Sequence, residues 1–152
     1  MPAVLDARPV VAGLRGLFAR DAGRQALLQY AADRMRSAGP PYTSVYLYML
    51  QGDELVLEAW SGRETEHTRI PVGKGVCGTA VATGQDQNVG DVRAISNYLA
   101  CNTFTRSELV VLIRRGDTIL GQIDVDSDVP DPFTTGEEQA AREVADALAV
   151  LL

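Results

Sequence analysis

Between residues 6 and 36 the apolar positions recur every three or four residues, through Val11, Leu14, Phe18, Ala22, Ala26, Leu27, Tyr30, Ala31 and Met35. That period places them on one face of a helix. Asp21 and Gly23 break the pattern, so it reads as a short helix followed by a longer one. Ser37-Ala-Gly-Pro-Pro41 ends the second, because the residue before a proline is pushed out of the α region. Two runs rich in aliphatic and aromatic residues follow, 44–50 and 54–60, on either side of Gln51-Gly-Asp53, and predict a β-hairpin. Residues 62–69 form a charged connector with the only histidine, His67, which reads as a solvated side chain. A helix over about 76–82 stops at Thr83-Gly84. Residues 87–89 read as a short strand and 91–105 as a long loop holding Cys101, and loops of that length in compact domains are often functional. A second hairpin pairs 107–113 with 120–126 around Arg115-Gly-Asp117. The last helix, 134–152, opens on Thr134 or Thr135 with Glu137 and Glu138 behind, a capping-box pattern with acids at the positive end of the helix dipole. Its apolar side is Ala140, Ala141, Val144, Leu148 and Leu151.

This order predicts an α+β fold, an antiparallel sheet with the N- and C-terminal helices packed on one face. Residues 1–152 are expected to form one domain, with 1–37 as N-terminal helices and 42–152 as sheet, pocket loops and C-terminal helix. A chain of 152 residues, 46% hydrophobic, buries enough surface to fold without a disulfide.

The second hairpin carries the candidate chemistry. If Arg115-Gly-Asp117 is a three-residue loop, Arg114 faces Thr118 and Glu108 faces Asp124. Leu109, Val111, Ile113, Ile119, Ile123 and Val125 then share one face, and Glu108, Asp124 and Asp126 the other. Three carboxylates so placed crowd one another, and like charges at short range raise at least one pKa. The cluster suits a general acid or a set of acceptors for a ligand ammonium group. The alternative is an ordinary solvated sheet face.

A formal net charge of −6 argues against nucleic-acid and anionic-membrane partners, which need clustered Lys and Arg. No leader pattern or long apolar run is present, so a soluble cytoplasmic protein is expected. In a reducing compartment two cysteines either pack as small hydrophobes or form a transient or catalytic bond. Neither lies in a Cys-x-x-Cys pair, and one histidine completes no zinc motif, so no metal is expected. Gly73 and Gly75 lack the remainder of a phosphate loop.

Taken together, Gly73-Lys-Gly-Val-Cys-Gly-Thr-Ala80, Asp91-Val92, Leu99-Ala-Cys101, Ser107-Glu-Leu-Val-Val111 and Ile123-Asp-Val-Asp126 resemble the free methionine-(R)-sulfoxide reductases, stand-alone GAF-domain enzymes. The resemblance implies that Cys101 is the attacking cysteine and Cys77 a resolving one. It implies that Glu108, Asp124 and Asp126 line the substrate pocket, and that Tyr48 stands in for a Trp that helps enclose the substrate methyl group. His67 lies about where the family has a further cysteine. The implied chemistry is attack by a thiolate on an acid-activated sulfoxide, that of free methionine-(R)-sulfoxide or a related small sulfoxide, giving a sulfenic acid on Cys101 and then a disulfide with Cys77. No cofactor is implied beyond a disulfide reductant such as thioredoxin. The apolar end Val150-Leu-Leu152 suggests a homodimer through the terminal helices. The other reading is a non-catalytic GAF module that binds a small ligand in signalling, or a thiol redox sensor using Cys77 and Cys101.

Overall fold

The computed structural model describes residues 3–100 and 104–152. Two helices, α1 (Ala7–Ala19) and α2 (Arg24–Arg36), precede strands β1 (Ser44–Gln51), β2 (Glu54–Ser61) and β3 (Arg69–Pro71). Helix α3 (Gly75–Thr83), strand β4 (Gln87–Val89) and a 3-10 turn at Val92–Ala94 follow, then β5 (Ser107–Arg115), β6 (Thr118–Ser127) and α4 (Thr135–Leu151). The strands form one six-stranded antiparallel sheet in the order β3-β2-β1-β6-β5-β4. Among the described residues, no helix is long and apolar enough to cross a membrane.

Strand alternation divides the sheet into two faces. One carries Val45, Leu47, Met49, Leu109, Val111, Ile113, Ile123 and Val125, and packs against α2 and α4, with α1 packed on those two helices, as the main core. Each such aliphatic side chain contributes about 1.5–3 kcal/mol by leaving water. The other face carries Tyr46, Tyr48, Val110 and Leu112, covered by α3 and Ile70. The α+β arrangement with the terminal helices on one face is therefore the one the periodicity predicts.

The helix ends follow their sequence signals. Asp6 caps α1 by accepting from the Arg8 N–H, Thr134 caps α4 by accepting from the Glu137 N–H at 3.4 Å, and Gly84 closes α3 in a left-handed conformation, φ 69°. Glu137 does more than complement the helix dipole. It is buried, and accepts from the Val4 and Leu5 N–H groups and the Tyr42 hydroxyl at 2.7, 3.3 and 2.7 Å, tying the N-terminal segment to α4.

The register of the second hairpin differs from the sequence expectation. The turn has two central residues, Gly116 and Asp117, with Gly116 at φ 60°, so Arg115 rather than Arg114 faces Thr118. A bulge then leaves Leu120 as an extra residue on β6, and from there Glu108 faces Asp126 while Val110 faces Asp124. The shorter turn and the bulge each shift the pairing by one residue. Their sum is a slip of two, which preserves faces. The three acids therefore still share a face, whereas Ile119 moves onto the acid face and Leu120 packs with the helix-side core.

Candidate active site

Pairing fixes the floor of the site. Glu108 and Asp126 are direct cross-strand neighbours, and Asp124 lies between Val110 on one side and Tyr46 on the other. Gln122 and Tyr48 pair one step along the same face. All of these side chains are buried.

Helix α3 forms the roof. Its start requires glycine twice: Gly75 has φ 65°, and a Cβ on Gly78 would sit 2.6 Å from the Pro71 carbonyl oxygen. This close approach places Cys77, in the first turn, directly over the floor. The Gln122 amide donates to the Cys77 carbonyl at 3.0 Å, and the Cys77 thiol donates to Glu108 Oε1 at 3.6 Å. The remaining walls come from loops. The Tyr48 hydroxyl donates to the His67 carbonyl at 2.7 Å, the His67 ring Nε2 lies 3.0 Å from the Ala100 carbonyl oxygen, and Leu99 packs over Gly75. A cavity of about 20 Å³ remains between Tyr48, His67, Cys77, Leu99, Glu108 and Asp124, space for about one water.

The electrostatics follow from burial of acids that have no ion-pair partner among the described residues. Burial, reinforced by the Asp126 charge, pushes the Glu108 pKa up to about 8. Asp124 and Asp126 are raised well above the ordinary range by burial and then by their acidic neighbours, Glu108 for Asp124 and Asp124 for Asp126. The Cys77 thiol is raised by burial first and by the three acids next. None of the ion pairs among the described residues involves these acids. Arg63, bound at the rim to Asp128, slightly offsets the rise at Asp126. One carboxylate oxygen of Asp124 and one of Asp126 are buried without a hydrogen-bond partner among the described residues. Such acceptors are costly unless a donor reaches them.

The structure thus brings together Cys77, Glu108, Asp124, Asp126 and Tyr48 among the residues singled out from sequence. Cys101 lies outside the described residues. His67, read as solvated, is half-buried and lines the cavity, because its backbone carbonyl and ring are each engaged by another wall element. Sequence reasoning also passed over Tyr46 and Gln122. Strand alternation could have found both, since Gln122 lies two residues before Asp124 and Tyr46 two before Tyr48. Sheet pairing and the α3 roof also place donor atoms of Cys77, Glu108 and Asp124 within 4.8 Å of one another, a set able to hold a metal ion that spacing in the sequence could not reveal.

The GAF domain family model matches residues 23–152. The free methionine-R-sulfoxide reductase of Escherichia coli is 35% identical over 147 residues, covering 97% of this chain and 84% of that protein. Among solved structures, the free methionine-R-sulfoxide reductase from Neisseria meningitidis in complex with its substrate superposes with a TM-score of 0.86 at 30% identity, over 99% of this chain and 93% of that one. The type II free methionine-R-sulfoxide reductase from Thermoplasma acidophilum superposes with a TM-score of 0.81 at 33% identity, over 91% and 94% of the two chains.

Proposed function

The chain belongs to the GAF family, and from that premise we propose that it is a thiol-dependent reductase of free methionine-(R)-sulfoxide. The observation that carries this reading is the buried floor of Glu108, Asp124 and Asp126 facing a thiol, with two carboxylate oxygens lacking a donor. A free amino acid supplies what the floor lacks. Its ammonium group offers three N–H donors and a positive charge, whereas a methionine within a peptide offers a single neutral amide at that position. The floor therefore selects free over protein-bound substrate. The Tyr48 ring on the cavity wall gives the methyl end an apolar surface.

The acids serve the reaction as well as binding. Glu108, with its pKa pushed up to about 8, holds a proton at neutral pH and donates a hydrogen bond to the sulfoxide oxygen, which makes sulfur electrophilic. The Cys101 thiolate attacks that sulfur, the S–O bond breaks as Glu108 gives its proton to the oxygen, and the resulting hydroxyl bonds to the Cys101 sulfur, so that methionine leaves and a cysteine sulfenic acid remains. Cys77 then attacks the sulfenic sulfur. Its proton departs with the hydroxyl as water, and a Cys77–Cys101 disulfide forms. Dithiol exchange with a thioredoxin-class reductant resets the pair, which fits a reducing cytoplasm. Until the sulfenic acid forms, burial and the surrounding acids keep Cys77 as a thiol, so it does not compete for the substrate. A cavity of about 20 Å³ is too small for the substrate, so binding displaces the wall at His67 and Leu99.

A second copy of the chain is the partner we assign to the helical side. A groove of about 500 Å³ between α1 and α4 has Arg8 and Arg15 on one wall and Glu143 and Asp146 on the other, with Val150, 77% exposed, at its end. A two-fold axis would set each basic wall against its partner's acidic one, an isologous contact.

The test is incubation of the protein with each epimer of free methionine sulfoxide and dithiothreitol, with methionine quantified by chromatography and Cys101→Ser alongside. Turnover of the R epimer alone, abolished in the variant, is expected. No turnover of the R epimer by folded protein would overturn the assignment.

A further inference from the structure

We infer that Cys77, Glu108 and Asp124 form a binding site for a single zinc ion. The set is one thiol and two carboxylates, the donor types zinc accepts. Zinc bonds to sulfur at about 2.3 Å and to oxygen at about 2.0 Å, so the S–O edge of a tetrahedral site is about 3.5 Å. The observed Cys77 Sγ to Glu108 Oε1 distance is 3.6 Å, and all three donors lie within 4.8 Å of one another. Beyond the spacing of the donors, one buried oxygen of Asp124 has no hydrogen-bond partner among the described residues, and Asp124 is 4% exposed. The cavity between the three is about 20 Å³, suited to one small ion with a water in its fourth position. His67 leaves that position open, because its Nε2 is engaged with the Ala100 carbonyl.

The charge balance favours the ion. Three buried acids with no ion-pair partner among the described residues repel one another, and a divalent cation among them removes the repulsion that a proton otherwise relieves. Binding exchanges the thiol proton, and those on the carboxyls, for the metal, with no change of oxidation state. Bound zinc would occupy both the acid that activates the sulfoxide and the thiol that resolves the sulfenic acid, so it would shut off turnover. That consequence rests on the reductase reading; the binding itself does not.

The experiment uses the Cys101→Ser full-length protein, in which Cys77 is the only thiol, freed of reductant and chelator and titrated with Co²⁺ and then Zn²⁺. The expected result is a near-ultraviolet thiolate-to-cobalt band that saturates at one equivalent and is abolished by one equivalent of zinc. Asp124→Asn should weaken cobalt binding at least tenfold, and Cys77→Ala should remove the band, with melting curves establishing that each variant is folded. Absence of the band in the Cys101→Ser protein, or its persistence after Cys77→Ala, would overturn the inference. Neither result bears on turnover of methionine sulfoxide, which is read separately.

Discussion

The thiol of Cys77 lies 3.6 Å from Oε1 of Glu108, bridging the first turn of α3 and the start of β5. Glu108 can hold a proton there because burial, with the Asp126 charge behind it, lifts its pKa from 4.5 to about 8. In the window between those values the folded chain keeps a proton that the unfolded chain has released. Stability is therefore greatest below the unfolded pKa and is lost as pH rises through about 8, by up to about 1.4 kcal/mol per pH unit for one such group. The raised Asp124 and Asp126 act in the same direction. The lowered Asp128 acts only below its ordinary acidic range. Thermal unfolding should show a lower Tm at pH 8 than at pH 5, and Glu108→Gln should flatten that slope. A Tm that climbs with pH across the window would be incompatible with a protonated floor.

The close approach of α3 to the preceding turn predicts a sensitive glycine. In Gly78→Ala the new Cβ would meet the Pro71 carbonyl oxygen at 2.6 Å and the Gly73 nitrogen at 2.9 Å. These are backbone atoms, so the helix must move. The expected cost is about 1–3 kcal/mol, read as a lower denaturant midpoint, together with a loss of activity as Cys77 shifts from the floor. An unchanged midpoint would contradict this packing.

Much of this arrangement was legible in the chain itself, for physical reasons that differ by element. The apolar period of α1, α2 and α4 and the alternation of Ile123 and Val125 with Asp124 and Asp126 are local signals. They gave the elements and placed the acids on one face. The hairpin register was not legible, because a two-residue turn with a bulge at Leu120 and a three-residue loop without one differ by single positions that sequence barely distinguishes. The acid face survived because the two slips of one residue add to two. Ile119, on the turn side of the bulge, did change face. The role of His67 as a wall residue was hidden because it rests on backbone and ring contacts to Tyr48 and Ala100, which are distant in sequence.

Glu137 offers a contrast with the acid floor. Buried on the helix side, it satisfies the Val4 and Leu5 N–H groups and the Tyr42 hydroxyl. Glu137→Ala leaves those donors without an acceptor and should destabilise by about 2–4 kcal/mol, while kcat for the folded enzyme stays near that of the parent. A fall in kcat without a fall in Tm would be the contrary result.

The groove between α1 and α4 predicts self-association that depends on charge pairing. Sedimentation at micromolar concentration should give a dimer, Arg15→Glu should shift it toward monomer, and Arg15→Glu combined with Asp146→Arg should restore it. A parent protein sedimenting as monomer would remove the dimer.

The most direct measurement is a single turnover. Fully reduced protein, freed of added thiol, is mixed with one equivalent of free methionine-(R)-sulfoxide, and both methionine and linked peptides are quantified by mass spectrometry. The expected result is about one methionine per chain, together with a peptide in which Cys77 is joined to Cys101. No methionine, or methionine formed while both thiols remain free, would contradict the proposed reaction.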